Sequence, residues 1–299
     1  MEMIKVTFPD GSVHEFEKGV KILDVAISVS EGFARNVLGA VVNDDVIKGL
    51  SETLKEDCAV KFVKFEDKEG KEIFWHTSSH VMALAIQRLF PDTKFGIGPA
   101  IENGFYYDLD SEHKFTPEDL EKIEAEMKKI VKEGYSVDRK EVDRDFALKY
   151  FAEKGQDYKI DLIEGFDKDA ELSFYELGEF TDLCRGPHLV DVKKIKAVKL
   201  LSIAGAYWRG SEKNKMLQRI YGITFEKKKD LDEYLEFLED AKQRDHRKIG
   251  KELGIFMISQ NVGAGLPFWL PKGATIRRVV ERYIVDKEIE CGYEHVYTP

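Results

Sequence analysis

Hydrophobic and polar positions alternate in short blocks over the first 64 residues. Lys5 to Phe8 and Val13 to Phe16 flank Pro9-Asp10-Gly11-Ser12, which predicts a hairpin with proline and glycine in its turn. Ile22 to about Glu31 has helical spacing, Ala40-Val41-Val42 before Asn43-Asp44 predicts a buried strand entering a turn, and AVKFVKF alternates with period two as a further strand. Strand, strand, helix and then more strands is a β-grasp order.

Helices and strands then alternate without a repeat. The clearest helix follows Thr116: Pro117 suits its first position, Leu120, Ile123, Met127 and Ile130 form one stripe, and Gly134 stops it. Gly104 to Leu109, AVKLLSIA and RIYGITF predict strands. From about residue 228, Leu231, Tyr234, Leu235, Leu238 and Ala241 recur as an amphipathic connecting helix. A last segment begins near Ile249, and its helix carries Ile276, Val279, Val280 and Tyr283 on one face before Gly292. The predicted class is α+β: a β-grasp domain at 1–64, a larger α+β domain at 65–225, a linker helix at 226–248 and a partial domain at 249–299. Because a new strand starts at Tyr297-Thr298-Pro299 with nothing to pair with, the chain is expected to be a fragment.

Composition narrows the class. With 43% apolar and 34% charged residues the chain can bury real cores, and MEMIKVTFPDGSVHEFEKG lacks the apolar region of a signal peptide. No run approaches the roughly 18 apolar residues of a membrane span, so no membrane partner and a cytoplasmic location are expected. Cys58, Cys184 and Cys291 have no framework spacing and are read as reduced thiols. A net charge of −10 opposes non-specific nucleic-acid coating but permits local basic patches. Lysine and arginine cluster at Lys193, Lys194, Lys196 and Lys199, at Arg209, Lys213, Lys215 and Arg219, and at Lys242, Arg244, Arg247, Lys248 and Lys251; solvated faces are the default reading.

The chemistry concentrates in two stretches. In FWHTSSHVMALAIQRLF, a helical wheel puts His80 about 40° and Gln87 about 20° from His76, with apolar residues around most of the rest. A helix buried nearly all round, with one narrow wedge of imidazoles, suits the wall of a polar cavity; satisfied core histidines are the plainer alternative. In FTDLCRGPHL, Gly186 and Pro187 separate Cys184 from His188, so the pair cannot share a helix turn. Together the stretches supply four donors, the number a tetrahedral zinc takes. The spacing equally allows a metal-free hydrolytic site with imidazoles as general base and acid. Tyr106, Tyr107, Asp108, Lys159 and Asp182 are candidates for company, Asp182 on the same side of an extended strand as Cys184. Gly96, Gly98 and Gly104 around Pro99 form a loop that a ligand could approach closely, without a Walker or dinucleotide fingerprint. Trp208 reads as a core residue before a base-stacking one.

Taken in order, HTSSH, IGPAIENGFYYD, CRGPH, GAYWRG and QRIYGITF resemble the amino-terminal half of a bacterial-type threonyl-tRNA synthetase. The resemblance covers the whole chain. It implies a TGS domain of β-grasp type, an editing domain with a synthetase-associated subdomain, a linker helix and the start of a class II catalytic domain through motif 1, with Pro299 as its proline. It implies hydrolysis of serine mischarged on threonine tRNA, with tRNA as partner and a homodimeric parent enzyme. His76, His80, Cys184 and His188 would form the editing site, with Lys159 and Asp182; Tyr107, Gly98 and Pro99 would contact substrate. His76 would activate water with help from Lys159, and the others would position the ester, while Cys184 as nucleophile is the competing mechanism. Related alanyl-type editing domains hold zinc with a similar set, whereas the threonyl version acts without it, so no metal and no cofactor are expected here. The parent's zinc and its ATP with magnesium would belong to motifs beyond residue 299, so this chain is not expected to aminoacylate. Ser79 departs from the family's usual alanine and is expected to point away from the polar wedge. An RNA-binding module and a zinc-dependent deacylase remain alternatives.

Overall fold

The computed structural model describes residues 2–259, 263 and 265–297. The predicted hairpin is Met3–Thr7 against Val13–Glu17, with Ile4 opposite Phe16 and Val6 opposite His14. It joins Cys58–Val63 in parallel, and Gly39–Val42 and Val46–Gly49 complete a five-stranded sheet. Ile4, Val6 and Val60 from the sheet and Ile22, Val25 and Ala26 from the helix Ile22–Val29 close one apolar core. The helix expected to reach Glu31 is instead two. Ser30 takes an extended backbone and its hydroxyl accepts from the Phe33 amide, capping a separate helix Glu31–Asn36.

A second antiparallel sheet runs Ala197–Tyr207, Met216–Phe225, Gly104–Asp110 and Lys94–Phe95, with Ala100–Ile101 also paired to the third of these. A third consists of Asp138–Val142, Leu172–Leu177 and Phe180–Leu183. The helix Lys68–Leu89 is enclosed by all three sheets. Ile73 meets Gly39 of the β-grasp sheet, Trp75 Nε1 donates to Thr224 O at 3.0 Å, and Ser78 and Thr224 share a hydroxyl bond of 2.6 Å. At its far end Arg88 reaches Glu126, Glu133, Tyr135 and Glu179. From Ile73 to Ile86 every residue but His76 is buried, which explains why this stretch of the helix has no charged face.

The Thr116 expectation is met in detail. Pro117–Glu133 is a helix whose Thr116 and Asp119 form a reciprocal capping box, and Gly134 ends it in the left-handed conformation. Two short helices, Arg144–Glu153 and Asp157–Glu164, pack Ala147, Phe151 and Ile163 against Leu172, Phe174 and Leu183 of the third sheet.

The chain divides into two compact units, 1–231 and 232–299. The amphipathic helix expected from about residue 228 is Lys228–Gln243. The second unit contains His246–Glu252, a hairpin of Phe256–Ile258 and Pro267–Trp269, and the helix Pro271–Glu290, whose Ile276, Val279, Val280 and Tyr283 are exposed. Pro299, expected as the motif 1 proline, lies outside the described residues. Among the described residues no helix is long and apolar enough to cross a membrane.

Candidate active site

His76 and His80 lie one turn apart on the long helix, and the Cys184–His188 turn folds over them. The turn is pinned at both ends. Ser173 Oγ donates to Cys184 O at 2.6 Å, the Cys184 amide donates to Ser173 O at 3.3 Å, and the Leu189 amide donates to Thr77 Oγ1 at 2.9 Å. Between them Gly186 has φ +70° and precedes a cis Pro187; a Cβ on Gly186 would overlap the Tyr175 hydroxyl, so both conformation and space call for glycine.

The ring of His188 lies 4.2 Å by centroid from each of His76 and His80, and 4.4 Å from Tyr175. One ligand atom from each of His76, His80, Cys184 and His188 falls within 4.8 Å of the others. Thr77 fixes the tautomer of His188. Its single hydroxyl proton goes to Ile73 O at 2.8 Å, so toward His188 Nδ1 at 3.2 Å it can only accept, and Nδ1 carries the ring proton. Nε2 is then a bare lone pair, 3.0 Å from Cys184 Sγ, where it accepts the thiol proton.

Behind the rings sits a buried polar network. Asp182 Oδ2 accepts from the Tyr107 hydroxyl at 2.5 Å and lies 3.2 Å from His80 Nε2; Oδ1 accepts from the Leu183 amide at 2.8 Å and pairs with Lys159. Lys159 Nζ also donates to the Tyr107 hydroxyl oxygen at 3.1 Å. His80 is close to Asp182, yet among the described residues neither of its buried ring nitrogens has a hydrogen-bond partner. Lys159 and Phe180 also line a cavity of about 250 Å³ with Gln87, Tyr150 and Thr181.

Electrostatics sort these groups. Burial alone would raise the Asp182 carboxyl, but the Lys159 charge, the nearby His80 and the bond from Lys159 together hold it well below the usual carboxylate range. Desolvation and then the neighbouring His80 push His76 down to about 3, so it is a neutral base at physiological pH. Desolvation, with His76 and His80, likewise lowers His188. Desolvation and the Asp182 charge push the Cys184 thiol well up, the opposite of what a thiolate nucleophile needs.

Two models of known families match. "Threonyl and Alanyl tRNA synthetase second additional domain" covers residues 172–221, which include the Cys184–His188 turn, and "TGS domain" covers 4–64. Over 297 residues, 99% of this chain, it is 62% identical to the threonine–tRNA ligase of Finegoldia magna and 56% identical to that of Clostridioides difficile. It is 55% identical over its whole length to the ligase of a Geobacillus strain. The chain is homologous to the amino-terminal part of threonine–tRNA ligases. It spans 46% of the length of each of these ligases.

Within this ligase homologue the remaining expected residues separate. Tyr107 is fully buried behind the rings. Gly98 reaches the long helix through its carbonyl, which accepts from Ser79 Oγ at 2.6 Å, and a Cβ there would overlap the Tyr107 ring. Ser79, expected to point away from the wedge, thus ties the glycine loop to the helix. Pro99 uses its carbonyl to accept from the Tyr106 amide at 3.3 Å. Tyr106 and Asp108 are not with the rings: Asp108 makes a two-pronged pair with Arg219, whose guanidinium lies 3.8 Å from the Tyr106 ring centre. Trp208 is a core residue, its Nε1 donating to Asp161 at 2.8 Å. Thr77, Ser173 and Tyr175 escaped the sequence reading. Thr77 carried a signal, since it lies inside HTSSH; the other two are ordinary strand residues in sequence.

Proposed function

We propose that this chain hydrolyses the ester of serine mischarged on threonine tRNA, as the editing part of a threonine–tRNA ligase. The observation that carries the reading is a partly exposed, neutral His76 in one cluster with a Cys184 and His188 bonded to each other and a His80 lying 3.2 Å from Asp182. The terminal adenosine and its seryl ester dock where the His76–His80 helix and the Cys184–His188 turn meet. His76 takes a proton from the attacking water, while Lys159 acts from behind by holding Asp182 and Tyr107 in place. His80, Cys184, His188 and Asp182 position the amino acid and ribose hydroxyls, and Tyr107, Gly98 and Pro99 shape the wall. Such a site answers a physical need, because one missing methyl changes binding by only about 1–3 kcal/mol, too little for one pocket to separate serine from threonine. The same reading assigns 1–64 to TGS, 65–225 to editing, 226–248 to a linker helix and 249–299 to the start of a catalytic domain. It makes tRNA the partner, the cytoplasm the location and a homodimer the state of the full ligase.

A zinc-dependent variant draws support from the partnerless nitrogens of His80 and from the donor set, which fits zinc in type and number. His76, His80, Cys184 and His188 would hold the ion, with Thr77 orienting His188 from behind. Four protein ligands fill a tetrahedral shell, however, and a hydrolytic zinc needs an open position for water. The metal-free mechanism is therefore preferred.

Incubation with seryl- and threonyl-tRNA, with and without chelator, tests both. Release of serine but not threonine, unchanged by chelator, is expected, and His76→Ala should lower it by about 10²–10⁴-fold with the fold intact. Equal loss of both amino acids, or a His76→Ala variant as fast as the parent, would refute the assignment; about one zinc per chain with activity lost to chelator would favour the metal variant.

A further inference from the structure

We infer that the β-grasp domain completes the candidate active site: its turn at Gly49–Glu52 is a positioning element that sets where His188 sits. The activity arm of this inference rests on the hydrolytic reading above; the geometric arm does not.

Gly49 is buried where the last strand of the β-grasp sheet meets the Pro187–His188 segment. A Cβ placed on Gly49 would lie 3.1 Å from His188 O and 3.4 Å from Pro187 Cβ. Gly49 is not among the residues with positive φ, so what limits a side chain there is this tight contact and not the backbone conformation. The turn that presents it is braced. The Gly49 amide donates to Glu52 Oε1 at 2.8 Å, the Glu52 amide donates to Gly49 O at 3.1 Å, and the amides of Ile22 and Leu23 donate to Glu52 O and Leu50 O at 2.9 Å.

His188 is therefore held from two sides. Gly49 backs its carbonyl, while Thr77 grips its ring nitrogen and the amide that follows. Tyr175 covers the ring, and Glu52 is among the charges that act on Tyr175 and on neighbouring Arg139. The contact continues beyond the histidine. Val190 packs on the β-grasp core, and Lys194 Nζ donates to Arg35 O and Val37 O at 2.8 and 2.9 Å, closing the end of the helix Glu31–Asn36. A Cβ at Gly49 asks the His188 carbonyl to give by a few tenths of an ångström, and the two further methyls of a valine ask for more. The imidazole and the thiol bonded to it move with that backbone; since a whole ångström of misplacement is worth up to about 10²-fold in rate, a fraction of it is worth up to about tenfold.

The test uses the full chain with Gly49→Ala, Gly49→Val and a control, Val6→Ala, which thins the same core on a strand separated from that of Gly49 by two others. Iodoacetamide labelling of Cys184, followed by peptide mass mapping against exposed Cys291 and buried Cys58, reads the turn; kcat and KM for seryl-tRNA read the chemistry. Gly49→Val should label Cys184 about fivefold faster or more and lower kcat about tenfold with KM nearly unchanged. Gly49→Ala should move both in the same direction by less. Val6→Ala should lower thermal stability yet leave both at parental values. Parental labelling in both Gly49 variants, or equal acceleration in Val6→Ala, overturns the inference. Should Gly49→Val not fold, Gly49→Ala against Val6→Ala decides it. A chain inert toward seryl-tRNA whose Cys184 labelling still follows this order removes the hydrolytic reading and leaves the positioning role standing.

Discussion

Asp182 illustrates what a buried charge requires of its neighbours. Its carboxylate is surrounded by Lys159, the Tyr107 hydroxyl, the Leu183 amide and His80, so its charge is both paired and hydrogen-bonded. Removing one partner is costlier than removing both, since the survivor remains charged without compensation. Asp182→Asn should destabilise the chain by about 3–5 kcal/mol, read as a lower denaturant midpoint with an unchanged slope. The double variant Asp182→Asn with Lys159→Met should lose less than the sum of the single variants; strict additivity would mean that the two groups do not act as a pair.

At the level of elements, the helix Pro117–Glu133 shows how a local signal becomes stability. Asp119 accepts from the Thr116 amide at 3.1 Å, bonds His113 Nε2 at 2.7 Å and pairs with Lys122 at 3.1 Å, while the Phe90 ring stacks on His113 at 4.8 Å. The His113 bond, against the opposing effect of burial, holds the Asp119 carboxyl well below its ordinary range. A depressed carboxylate stabilises fully above its unfolded value of about 3.9 and loses that contribution as pH falls through the lower folded value. Asp119→Ala should therefore cost about 1 kcal/mol or somewhat more at pH 7 and progressively less in acid below about pH 4. Unfolding midpoints of parent and variant that stay equally far apart down to pH 2 would contradict this.

For the whole molecule, the two compact units differ in how much they bury. Residues 1–231 hold the cores of the β-grasp sheet and of the sheets around the long helix. The second unit exposes Met257, Phe268, Trp269, Ile276, Val279 and Tyr283, each more than 40% accessible. Few buried apolar contacts mean low local stability. Limited proteolysis should cut first within 232–297 and leave a resistant body ending near Leu231, visible by mass spectrometry. An early cut inside the β-grasp sheet would contradict the ordering. The basic clusters are likewise partly spent on structure: Arg219 pairs with Asp108, Lys215 with Asp110, Arg209 with Asp161 and Lys199 with Glu124, which leaves fewer free cations than the sequence suggests.

The sequence by itself determined the elements and the two chemical stretches. Periodicity, caps and turn residues record how each segment is buried, so the Thr116 helix, the hairpin at Pro9–Ser12, and the polar wedge of His76 and His80 could be read directly. Only the tertiary structure decided which groups meet. Lys159 sits on a short helix far along the chain from its partners, and its pairing with Asp182 and Tyr107 depends on how that helix packs against the third sheet. The tautomer of His188, the raised Cys184 thiol and the contact of Gly49 with Pro187 are likewise products of distant segments closing on one another. Burial pattern is a property of one segment and its own residues, whereas a partner, a proton's position or a two-sided clamp is a property of at least two segments. One-dimensional spacing carries the first kind of information and not the second.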